Sequence, residues 1–92
     1  MELKDTIELM QSADYKERFI AEYYQVKIRC IKLTRMLVDY KRGALNFVPT
    51  TPIKMLKKQL KHMKIYMRCL SERAKIEGID LYATYIPPTL ND

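Results

Sequence analysis

The sequence predicts an all-α fold: a short N-terminal helix followed by a long antiparallel helical hairpin. Three observations carry this expectation. Between Asp14 and Arg42, the residues Phe19, Tyr23, Val26, Cys30, Leu33, Leu37 and Tyr40 recur at spacings of 4, 3, 4, 3, 4 and 3, an unbroken heptad seam. Further on, Ile53, Leu56, Leu60, Met63, Met67, Leu70 and Ala74 keep spacings of 3, 4, 3, 4, 3 and 4. A linker of about ten residues joins the two seams, which makes the helices antiparallel neighbours.

Each element has its own justification. Leu3, Ile7 and Met10 share one side of a short first helix, predicted over about 4–11. A helix of about two turns does not persist alone, so it is expected to dock on the long helix through the tight connection Gln11, Ser12 and Ala13. Asp14 followed three residues later by Glu17 reads as a capping box opening the long helix over 14–42, with Ser12 as the alternative cap. Lys41 and Arg42 suit the helix C-terminus, and Gly43 suits the left-handed position beyond it. Thr51 as N-cap with Pro52 in the first helical position opens the third helix, predicted over 52–77, and Gly78 stops it. The expected organisation is one three-helix domain over 1–81 and a C-terminal tail over 82–92. Pro87 and Pro88 prevent that tail from being helical throughout.

A chain of 92 residues buries little apolar surface alone, so self-association is expected. The long helix supports this, because Ile20, Tyr24, Ile28, Ile31 and Val38 form a second apolar stripe roughly 130° round from the seam. Seventeen Lys and Arg against eleven Asp and Glu give a net charge of +6, which favours an anionic partner. Cys30 and Cys69 lie in helical patterns without CxxC spacing, so reduced thiols in a cytosol are expected, with neither disulfide nor zinc. No apolar run approaches the ~20 residues of a membrane span, and the start Met1, Glu2, Leu3 lacks the order of a signal peptide.

Two charged faces are candidate sites. Arg18, Gln25, Arg29 and Lys32 line one flank of the long helix, beginning beside Tyr15 in its first turn. An aromatic ring to stack on a base, with guanidinium and ammonium groups for phosphate, is what a small anionic nucleotide requires. An ordinary polar flank accounts for the same row. Lys54, Lys57, Lys61, Lys64, Arg68 and Lys75 occupy the third helix opposite its seam. They suit a phosphate backbone, although a solvated lysine-rich face is the plainer account. His62 has no companion at metal-ligand spacing, and neither a glycine-rich phosphate loop nor a nucleophile motif is present. The chain reads as a binder, with no catalytic residues, no metal and no cofactor.

The stretch Asp14-Tyr15-Lys16-Glu17-Arg18-Phe19-Ile20-Ala21-Glu22, followed by Gln59-Leu60 with Met63, Tyr66, Leu70 and Arg73, resembles the phage anti-CBASS nucleotide sponges. The likeness covers most of residues 12–79. It implies a compact three-helix subunit assembled as a homo-oligomer, a hexamer, in the cytoplasm of the bacterial host. It also implies sequestration, without cleavage, of cyclic di- and trinucleotides such as 3′,3′-cGAMP made by bacterial cGAS-like enzymes. The family's dinucleotide site uses a tyrosine near the start of the long helix and a lysine about four turns further along. Tyr15 matches the tyrosine. Arg29 falls closest to the lysine, with Lys27 and Lys32 as neighbours and Arg18 beside the tyrosine; an arginine at that place departs from the family pattern. Arg68 and Arg73 are the candidates for a separate cyclic trinucleotide site. The tail from Tyr82 onward has no counterpart in the resemblance. The rival expectation is a small basic helical protein that binds DNA, RNA or a host protein.

Overall fold

The structure is a computed structural model in which residues 1–82 are described. The N-terminal segment opens as a 3-10 turn, Leu3–Thr6, that runs into a single α-helical turn, α1 (Ile7–Met10). The one helix expected over 4–11 is thus divided. Side chains tighten its start: the Glu2 amide donates to Asp5 Oδ2 at 2.8 Å, and the Thr6 hydroxyl donates to the Leu3 carbonyl at 2.7 Å.

The long helix α2 spans Tyr15–Lys41, with Asp14 as its N-cap accepting from the Lys16 amide at 2.9 Å. Ser12 shares the work: its hydroxyl accepts from the Asp14 amide at 3.0 Å and donates to the Glu17 carboxylate. The expected box between Asp14 and Glu17 is therefore completed through Ser12. At the other end the Gly43 amide donates to Tyr40 and the Ala44 amide to Asp39, closing a Schellman motif that needs the left-handed φ of 71° at Gly43. The third helix, α3, spans Ile53–Glu77. Its N-cap is Pro52 rather than Thr51. Pro52 keeps an extended ψ of 139°, and its carbonyl already accepts from the amides of Met55 and Leu56. Gly78 ends α3 at a φ of 69°, which lets the Ile79 amide reach the Ala74 carbonyl at 2.8 Å.

α2 and α3 are antiparallel, since Tyr15 at the start of α2 bonds to Glu77 at the end of α3. The core sits at this closed end and consists of Phe19, Ile20, Tyr23, Leu70, Ala74, Ile79 and Leu81, with Leu9, Tyr24, Val26 and Met67 packed around it. Ile79 and Leu81 turn back under the helices. There the Tyr24 hydroxyl donates to the Leu81 carbonyl at 2.7 Å, and the Tyr23 and Tyr82 hydroxyls bond at 2.9 Å. Burial pushes the Tyr23 pKa up to about 12, with the Tyr82 hydrogen bond adding to it.

Toward the linker both seams are only half-buried, and Tyr40 is 47% exposed. The second stripe of α2 is not left bare throughout as expected. Ile20 joins the core, and Ile28 is buried as well. Gln25 and Lys32, which flank Ile28 one helical turn either way, both bond to the N-terminal segment, so that segment crosses above it. Ile31 and Val38 remain exposed. The described residues contain helices and turns only, and none of the helices is long and apolar enough to cross a membrane. Residues 83–92, which carry the expectation about Pro87 and Pro88, lie outside the described residues.

Candidate functional site

The first turn of α2 and the last turn of α3 bring four side chains together. Tyr15, nearly half exposed, packs edge to face on Phe19, with ring centroids 6.2 Å apart. The guanidinium of Arg73 lies over the other part of that aromatic pair, 4.9 Å from the Phe19 centroid. From there its Nη2 donates to the Tyr15 hydroxyl oxygen at 3.1 Å and its Nε to Glu77 Oε2 at 3.3 Å. The Tyr15 hydroxyl in turn donates to Glu77 Oε1 at 2.6 Å, a bond that pushes the phenol pKa above its ordinary 10.0. At neutral pH this hydroxyl is therefore a donor. A surface with an open aromatic ring, a cation stacked on a second ring and a phenolic donor has the chemistry to bind a base and a phosphate.

Heptad spacing explains why these groups meet. Phe19 and Ala74 are seam positions, which forces their flanking neighbours Tyr15 and Arg73 to the rim of the same interface. Glu77 was absent from the sequence expectations. One signal pointed to it: a carboxylate at the last position of a helix faces the negative end of the dipole.

The basic flank of α2 is divided by the structure. Arg18 donates from Nη1 to the Ser12 carbonyl at 2.8 Å, Gln25 donates to Thr6 Oγ1 at 3.1 Å, and Lys32 pairs with Glu2 at 3.1 Å. These three seat the N-terminal segment. Lys27 lies over the Tyr24 and Tyr82 rings, 5.7 and 5.6 Å from their centroids. Arg29 alone in that row is exposed with no partner among the described residues. It stands 14 positions along α2 from Tyr15, about 21 Å on the same face. A single chain therefore does not bring Tyr15 and Arg29 together.

Arg68 and Arg73 also separate. Five positions apart on α3, they point about 140° away from each other. Arg68 instead rims an open groove of about 440 Å³ with Lys57, Lys61 and Lys64, floored by Leu60 and Ile65. None of these four cations has an ion-pair partner among the described residues. Across the hairpin, Tyr66 donates to the Glu22 carboxylate.

Comparison with known proteins gives one result. No curated protein and no solved structure matches the chain. The Sequestin family model, by contrast, matches residues 13–76, which run from the cap of α2 to the last turn of α3 and make up more than half of the sequence. The chain therefore belongs to the Sequestin family.

Proposed function

We propose that this protein is a non-catalytic sponge that binds cyclic di- and trinucleotides such as 3′,3′-cGAMP in the cytoplasm of an infected bacterium. By holding the second messenger it blocks CBASS signalling. Membership of the Sequestin family implies the sequestering role. The observation that carries the ligand class is the exposed Tyr15 ring beside Arg73, a stacking surface joined to a phosphate donor.

The site is shared between subunits of a homo-oligomer, a hexamer in this reading. Arg29 lies about 21 Å from Tyr15 along α2, farther than one cyclic dinucleotide spans, so the Arg29 that meets the ligand comes from a neighbouring subunit. The groove of Lys57, Lys61, Lys64 and Arg68 is the place for the larger, triply charged cyclic trinucleotide. Sequestration of a signal present below micromolar concentration requires about 10 kcal/mol or more of binding free energy. Two phosphates and two stacked bases enclosed between subunits supply interactions of that order.

Equilibrium dialysis against 3′,3′-cGAMP, followed by denaturation of the protein, tests this reading. The expected result is retention of the ligand and its recovery with unchanged mass. A cleaved product contradicts the sponge. The same basic groove also suits a nucleic acid, and salt separates the two. Retention of a ligand with two phosphates changes little between low and high salt, whereas binding of a DNA or RNA duplex through many phosphates falls steeply.

A further inference from the structure

We propose that the Arg73 guanidinium and the Tyr15 hydroxyl form one phosphate-binding pair, and that the Glu77 carboxylate occupies this pair in the empty subunit as an internal stand-in for the phosphate. The proposal rests on the sponge reading and adds to it a second phosphate contact within the Tyr15 subunit and a built-in competitor.

The geometry is that of an anion held by two donors. Glu77 Oε1 accepts from the Tyr15 hydroxyl at 2.6 Å, and Oε2 accepts from Arg73 Nε at 3.3 Å. A phosphodiester offers the same paired oxygens with the same charge, so it satisfies both donors in the same way. Stacking a nucleotide on the exposed Tyr15 ring sets its phosphate against these donors. A phosphate seated on this pair needs the same two donors that Glu77 occupies, the Tyr15 hydroxyl and Arg73 Nε, and it repels the carboxylate at that distance. The ligand therefore enters by displacing Glu77.

Glu77 is placed for displacement rather than for stability. It is the last residue of α3, where its charge opposes the helix dipole, and Gly78 follows immediately in the left-handed conformation. Its side chain is about one-third exposed, so rotation into solvent opens no core. What holds the carboxylate there against the dipole is its i,i+4 pair with Arg73 and its bond to Tyr15, the two donors of the site.

Isothermal titration calorimetry with 3′,3′-cGAMP tests the proposal on the full chain and on the variants Glu77→Ala, Glu77→Gln, Arg73→Ala and Tyr15→Phe. Thermal unfolding confirms that each is folded. Removing the competitor is expected to tighten binding about tenfold in Glu77→Ala, the scale of one charged hydrogen bond, with a smaller gain in Glu77→Gln. Arg73→Ala and Tyr15→Phe are expected to bind at least about tenfold more weakly, the second although its ring is intact. Binding by the parent that is unchanged or weakened in both Glu77 variants overturns the competitor and leaves the sponge standing. Binding unaffected by Arg73→Ala overturns the pair. Silence from the parent and every variant overturns the sponge reading, and this proposal with it.

Discussion

Two tyrosines of α2, eight positions apart, show how the same side chain takes opposite roles in one helix. Tyr23 is buried, and its hydroxyl pairs with that of Tyr82. Its pKa of about 12 lies above the ordinary 10.0, so the folded state holds its proton where the unfolded chain has lost it. That contribution is whole below about pH 10 and is lost as pH rises toward 12. Urea unfolding at pH 8 and pH 11 is expected to show a loss of about 1 kcal/mol in the parent that is absent from the slope of Tyr23→Phe. Equal pH slopes in the two chains contradict this account. Tyr15, by contrast, stays at the rim with its ring open. Its place was legible in the sequence, because Asp14 and Glu17 mark a helix start and put Tyr15 in the first turn. Its partners were not. Arg73 and Glu77 stand 58 and 62 residues away, and a seam reveals which faces meet but not which rim residues come opposite each other.

At the scale of the element, the C-terminal ends of α2 and α3 were read most accurately because each depends on one glycine's backbone freedom. Gly43 and Gly78 both take the left-handed φ that their caps require. A Cβ on Gly78 meets nothing within 4 Å, so the cost of Gly78→Ala is backbone strain alone. The variant is expected to lose about 1 kcal/mol, seen as a fall of about 4–8 °C in the midpoint of thermal unfolding. An unchanged midpoint would show that the cap contributes nothing. The basic flank of α2 was harder to read. Arg18, Gln25 and Lys32 have the spacing of a phosphate-binding row, yet they hold Ser12, Thr6 and Glu2. Periodicity identified the row, but its purpose depended on where a short N-terminal segment folds back, and that is set by the turn at Gln11 and Ser12. Hydrogen exchange is expected to report faster exchange over residues 3–10 in the double variant Arg18→Ala and Lys32→Ala, with α3 unaffected.

For the whole molecule, the heptad pattern predicted the hairpin but overstated how much of it one subunit buries. The core lies at the closed end, while near the linker Leu37, Val38, Tyr40, Ile53 and Leu60 line an open apolar groove of about 420 Å³. Among the described residues the core cluster holds seven buried side chains, which is small for a stable domain, and self-association is the expectation that would cover the remaining seam. Light scattering on the eluting protein is expected to give a multiple of the 11.0 kDa subunit mass. Val38→Asp, which puts a charge on the exposed stripe, is expected to lower that mass at the same concentration. Retention of the full assembly by this variant places the interface elsewhere.

The central claim joins three properties: assembly, capture of a cyclic nucleotide and absence of chemistry. Native mass spectrometry of the purified protein mixed with 3′,3′-cGAMP reads all three at once. The account predicts an oligomer carrying whole numbers of ligand that are released unchanged on activation, and no ligand on the Tyr15→Ala chain. A bare monomer at micromolar ligand, or release of a cleaved product, contradicts it.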